Sequence, residues 1–89
     1  MTLDAAALLL ARKRLRWRAR RGLLENDLIV SRFFERHGDQ LTSDDMISIE
    51  ALLDLPENEL LDLLLTRTDL PGALDVPDVR AMLKRLRAS

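Results

Sequence analysis

Gly22 constrains this chain more than any other residue, because it is the only glycine before position 38 and it separates two stretches with helical spacing. A residue without a Cβ at such a point lets the chain reverse, or lets another backbone come close. On one side, from Arg12 to Arg21, stand seven cations and no acid: Arg12, Lys13, Arg14, Arg16, Arg18, Arg20 and Arg21. On the other, an apolar run opens with Leu23-Leu24. Arg21 before the glycine and Glu25 three residues after it flank the corner with opposite charges. Such a corner is either a local ion pair or a surface that meets a partner.

Around this break the apolar spacing gives five helical patterns and no convincing strand. From about Thr2 to Arg21, Leu8, Ala11, Leu15 and Ala19 form one narrow stripe, while Trp17 lies roughly opposite it, in line with Leu10 and among the arginines. The first helix therefore either packs on two sides or displays Trp17. A second pattern covers about Leu23 to His37, with Leu24, Leu28, Ile29, Phe33 and Phe34 as its apolar face; Phe33, Phe34 and Leu28 are assigned to the core. Gly38 is expected to end this helix in the left-handed conformation. Thr42, with Asp45 three residues on, reads as a capped start for a third helix burying Met46, Ile49, Leu52 and Leu53. Pro56 breaks it and begins a fourth, about Asn58 to Thr66, with Leu60, Leu61, Leu64 and Leu65 as core. After the Leu70-Pro71-Gly72 turn, Pro77 starts a fifth helix carrying Val79, Met82, Leu83 and Leu86 inward, its last turn holding Lys84, Arg85 and Arg87. The reading is all-α: residues 1–89 as a compact single-domain bundle of five short helices, monomeric when isolated.

Composition narrows the function classes. A chain of 89 residues buries only about 60–65% of its unfolded surface, so the core is modest. No cysteine is present, which removes disulfides, thiolate metal sites and thiol nucleophiles, and fits a cytoplasmic location. Apolar runs are too short to span a bilayer. His37, the only histidine, follows a helix and reads as a polar capping residue, not a base. Asp44-Asp45 and Glu57/Glu59/Asp62 sit at helix starts, where acids face the positive end of the helix dipole; they read as caps, with no metal site. There is no nucleophile–base pair and no glycine-rich phosphate loop, so no enzyme is indicated.

Charge is lopsided. Residues 1–22 carry seven cations against Asp4, a net of +6, while residues 23–89 carry seven cations against fourteen acids. That split suggests an anionic partner for the basic helix, or packing of that helix on the acidic remainder. A nucleic-acid-binding or antitoxin-like regulatory module, with Trp17 stacking on a base, is the alternative function class. Against it stand the near-zero net charge and the absence of a helix-turn-helix. The narrow, partly alanine stripe of the first helix argues against a membrane-surface role.

One run carries more specific information. Arg14-Leu15-Arg16-Trp17-Arg18-Ala19-Arg20-Arg21-Gly22-Leu23-Leu24-Glu25-Asn26-Asp27-Leu28, followed by Phe33-Phe34-Glu35, resembles the small succinate dehydrogenase assembly factors, bacterial and mitochondrial, with their Arg-Gly-x-x-Glu motif. The likeness continues through residues 41–45, 52–54 and 60–64. It implies an assembly chaperone that binds the flavoprotein subunit of succinate dehydrogenase, or of fumarate reductase, and promotes its covalent FAD attachment. FAD then belongs to the client, and this chain binds no cofactor itself. By the same resemblance the partner-binding residues are Arg21, Gly22 and Glu25, with Asp27 nearby; Arg16, Trp17 and Arg20 are added as the surrounding surface because Trp and Arg are over-represented at binding hot spots. Leu63 stands where the family often has an aromatic, Asn26 replaces a usual apolar residue, and the basic segment is richer in arginine than in many members.

Overall fold

Asp4 opens the first helix: its carboxylate accepts the Ala7 N–H at 2.7 Å, satisfying one of the donors that every helix start leaves unpaired. The computed structural model describes residues 4–20 and 22–89, and among these five α-helices follow one another. They are α1 (Ala5–Arg18), α2 (Leu24–His37), α3 (Ser43–Leu53), α4 (Glu57–Leu64) and α5 (Pro77–Ala88), with 3-10 turns at Gly38–Gln40 and Gly72–Leu74. No strand occurs among the described residues, and no helix there is long and apolar enough to cross a membrane. A radius of gyration of 12.6 Å matches the value of about 12 Å for a compact chain of this length.

A single apolar cluster holds the helices together, and α3 is its centre. Ile49 and Leu52 are fully buried, with Leu41 just before the helix. Helix α5 lays Val79, Met82, Leu83 and Leu86 on one side of α3, and α1 contributes Leu15 and Ala19. The start of α3 is a reciprocal capping box: Thr42 Oγ1 accepts the Asp45 N–H at 3.0 Å, and Asp45 Oδ2 accepts the Thr42 N–H at 3.1 Å. The other Asp45 oxygen takes Arg85 of α5 at 3.1 Å, and the Arg85 guanidinium also lies over the Phe33 ring at 5.5 Å. Arg87 forks onto the Leu63 carbonyl, with its Nε at 2.9 Å and Nη2 at 2.7 Å. Arginines assigned from the sequence to the dipole of α5 thus tie it to α3 and α4. Arg80, at the other end of α5, pairs with Asp75 at 2.6 Å and Asp69 at 3.5 Å. The Asp75 hydrogen bond, then the charges of both acids, push its guanidinium above its usual value.

Several expectations change. Helix α1 ends at Arg18, short of Arg21, and its expected first residues Thr2 and Leu3 lie outside the described residues. On α2 the buried positions are Asn26, Val30, Phe33 and Phe34. Leu28, assigned to the core, is 51% exposed and Leu24 is 66% exposed. The helix is rotated because a polar residue, Asn26, occupies a core position. Its Nδ2 donates to the Glu57 carbonyl at 2.8 Å and to Glu57 Oε2 at 2.9 Å, which pins α2 to the first turn of α4. Gly38 has φ −55°, not a left-handed value, because the chain tightens into a 3-10 turn instead of reversing. His37 stands at the N-cap of the 3-10 turn, but its side chain makes no capping hydrogen bond; its ring packs 5.1 Å from Phe33. On α4 the buried leucines are Leu60, Leu63 and Leu64, with Leu61 half-buried. Leu65, the C-cap, is exposed, since at 100° per residue it lies about 140° from Leu60, away from the buried stripe.

That stop has a cost. Arg67 N–H donates to the Asp62 carbonyl at 2.8 Å and Thr66 N–H to the Leu63 carbonyl at 3.1 Å, the pair of bonds of a Schellman cap. Its left-handed position holds Thr66 at φ 62°. A β-branched residue is strained there, and glycine is the usual occupant. Thr66→Gly therefore raises stability by about 1 kcal/mol, a gain of roughly 4–8 °C in melting midpoint; an unchanged or lower midpoint by circular dichroism would contradict this.

The Asn26 Oδ1 is buried without a hydrogen-bond partner, so the residue contributes through its donor side alone. Asn26→Asp keeps the shape and turns that donor into a third oxygen facing Glu57. It should cost about 2–3 kcal/mol at neutral pH. The introduced carboxyl has a folded-state pKa above its unfolded value, so the penalty is full above the folded pKa and shrinks as pH falls toward about 4. Paired melts with the wild type across that range check it; a gap that stays constant with pH refutes it.

Candidate functional site

Where α1 gives way to α2, the basic segment divides into cations used inside the fold and cations turned outward. Arg12 Nε donates to the Leu41 carbonyl at 2.8 Å, and Arg18 pairs with Glu50 of α3 at 2.8 Å. The first bond satisfies a carbonyl just ahead of the α3 cap. The second is an exposed pair worth about 0–1 kcal/mol. Both fix how α1 lies on the rest of the chain, as the packing alternative for the basic helix requires. Lys13, Arg14 and Arg16 make no hydrogen bond or ion pair among the described residues.

The remaining candidate residues surround the corner. Arg16 and Trp17 stand in the last turn of α1, and Trp17, at 72% exposure, is displayed instead of packed. Arg20 follows the helix with its guanidinium 5.3 Å from the Trp17 ring centroid, a cation–π contact of about 0.5–1 kcal/mol. Arg21 lies outside the described residues. Glu25 and Asp27 sit in the first turn of α2, where their charge complements the positive helix end. Glu25 is exposed and forms no ion pair with any described residue; Asp27 is half-buried. Helix α2 starts without a side-chain cap, since its N-cap is Leu23. The acids of its first turn supply the compensation that a cap would otherwise give.

Gly22 carries no positive φ, and a Cβ built on it meets nothing within 4 Å. Neither backbone geometry nor internal packing therefore demands glycine. Next to it an open groove of ≈ 420 Å³ runs between the end of α1 and α2, lined by Arg16, Trp17, Arg20 and Asp27 together with Lys13, Ser31 and Glu35, over a floor of Ala19 and Phe34. Four of the seven candidates thus share one concave surface, and Gly22 and Glu25 belong to the corner beside it.

Two exposed apolar residues on this side are not among the candidates: Leu24 and Leu28, on α2 one turn apart and next to Glu25. Their signal was present. The same four-residue row continues as Arg32 and Arg36, both exposed, and a row ending in two arginines does not face a core. No group of three or more His, Asp or Glu that could hold a metal ion exists among the described residues.

Residues 13–89 match the family described as "Flavinator of succinate dehydrogenase". Among curated proteins, the chain is 60% identical to the FAD assembly factor SdhE of Ralstonia nicotianae over 77 residues, covering 86% of this chain and 81% of that protein. With the FAD assembly factor SdhE of Acetobacter pasteurianus it shares 35% identity over 77 residues, 85% of this chain and 71% of the relative. The protein of the same name from Coxiella burnetii is 43% identical over 56 residues, 63% and 68% of the two chains. No solved structure matches. A family match over residues 13–89, beside a relative 60% identical over most of the chain, settles the relationship: the chain belongs to the succinate dehydrogenase flavinator family.

Proposed function

We propose that this protein is a non-catalytic assembly chaperone that binds the flavoprotein subunit of succinate dehydrogenase, or of fumarate reductase, and promotes covalent attachment of FAD to it. Relatives named FAD assembly factor support the activity. The observation that supports the docking site is Gly22: no described residue lies within 4 Å of where its Cβ would stand, so the corner is open to the approach of another backbone. FAD is the client's cargo in this scheme, and the factor contributes a surface.

That surface has a division of labour. Gly22 admits the client backbone, while Arg21 and Glu25, which flank it in sequence, supply the guanidinium fork and the carboxylate for client groups. Leu24 and Leu28 add exposed apolar area that water hydrates poorly, the kind of area that favours association when covered. Arg16, Trp17, Arg20 and Asp27 line the adjoining groove, and the Arg20–Trp17 stack holds two side chains in the orientation that a partner would meet. A client held across corner and groove is favoured in the arrangement in which it reacts with its flavin.

The test is co-expression with the cognate flavoprotein in a host lacking such a factor, reading covalent flavin by in-gel fluorescence at equal client levels. Wild type raises the signal severalfold. Gly22→Arg and Glu25→Ala return it to background, while the melting midpoint of Gly22→Arg stays within about 2 °C of wild type because the new side chain meets open space. Full activity of folded Gly22→Arg would remove the corner from the mechanism; no gain with wild type would remove flavinylation of that client. Leu28→Asp should weaken client capture roughly tenfold with unchanged circular dichroism. Undiminished capture would confine docking to the corner and groove.

A further inference from the structure

Helix α1 has a second apolar face that the core does not use. Its inward stripe, Leu8, Ala11, Leu15 and Ala19, is committed to packing. At 100° per residue, Leu10 and Trp17 fall within about 20° of each other on the opposite side, with Lys13 and Arg14 about 40–60° to either flank. Leu9 lies just beyond Lys13. Leu9 and Leu10 are 49% and 48% exposed. Arg16 and Arg20 continue the cationic border, and no acid occurs between Ala5 and Arg20. The result is a strip from Leu9 to Trp17, about 12 Å long, in which leucines and the single tryptophan alternate with positive charge.

We propose that this outer face docks, in plane, on an anionic lipid surface. The argument is charge complementarity joined to apolar content. Lys13, Arg14 and Arg16 make no bond within the described chain, so their charge is available to anionic headgroups, while their methylene stems and Leu9, Leu10 and Trp17 settle at the acyl boundary. Tryptophan suits that boundary, having an apolar body and one polar N–H. A nucleic acid would use the cations and Trp17 but leave Leu9 and Leu10 in water. Two further arginines, Arg12 and Arg18, are already bonded inside the fold and do not add to a phosphate track. The narrow stripe that speaks against membrane contact is the inward one; the outward strip is a different set of residues. The proposal is separable from client docking at Leu9, Leu10 and Arg14, which have no part in the corner or groove, whereas Lys13, Arg16, Trp17 and Arg20 border both surfaces.

Trp17 is the only tryptophan, so its emission reports the contact directly. The full chain is mixed with vesicles of phosphatidylcholine containing phosphatidylglycerol, with vesicles of phosphatidylcholine alone, and with oligothymidylate. The expected result is a blue-shifted emission and co-flotation with the anionic vesicles only, reversed by high salt. Leu10→Asp and Arg14→Glu each lower partitioning about tenfold, and both keep the wild-type circular dichroism and covalent-flavin yield. The proposal is overturned by absence of a shift with anionic vesicles, by equal binding to the neutral ones, or by variants that bind as well as wild type. Quenching by oligothymidylate without vesicle binding would transfer the face to nucleic acid. Loss of flavin yield in a folded Leu10→Asp variant would assign it to the client instead.

Discussion

Burial of α3 is the constraint from which the other helices take their places. A chain of this length can build one apolar cluster, and α3 is where α1 and α5 both reach it. Asp45 makes the arrangement specific. One of its oxygens closes the cap that starts α3, and the other receives Arg85 of α5, whose guanidinium covers the Phe33 ring of α2. A single carboxylate therefore sets the start of one helix and the docking of two others. The apolar cluster supplies the driving force without direction, and such hydrogen bonds select one packing among several that bury similar area.

The α1–α2 corner inherits its geometry from this arrangement. Arg12 and Arg18 hold α1 against the region of α3, and Asn26 holds the first turn of α2 against α4. Both sides of Gly22 are thus anchored by bonds to elements far away in sequence. That matters for a docking surface, since a loop that must be ordered on binding loses affinity to conformational entropy. It also places the buried, half-satisfied Asn26 one residue after Glu25, so the side chain that anchors α2 adjoins one of the proposed contact residues.

Much of this was legible in the sequence, for physical reasons that differ by element. Val79, Met82, Leu83 and Leu86 of α5, like Met46, Ile49, Leu52 and Leu53 of α3, were found because every residue of the stripe is apolar and the helix spacing is regular. Thr42 and Asp45 were found because the capping box has a fixed offset. Reading failed on α2, where Asn26 takes a core position and pushes Leu24 and Leu28 out, and on α4, where a left-handed Thr66 ends the helix in a way that composition does not announce. At the candidate site, Trp17 and its arginines were visible as a chemical pattern. The groove they share with Asp27 was not, because it depends on how two helices cross.

The bond between Asp45 and Arg85 spans 40 residues, and the apolar face of α3 waits for α5 over the same stretch. During synthesis, α3 leaves the ribosome with the side that α5 packs against uncovered, and it stays so until α5 has emerged, some seconds later at ordinary elongation rates. Through that interval the nascent chain carries an open apolar surface whose covering segment has not yet arrived. Shortening the chain within α5 would prolong that state indefinitely, so loss of the final helix acts on the whole fold and not on its end alone.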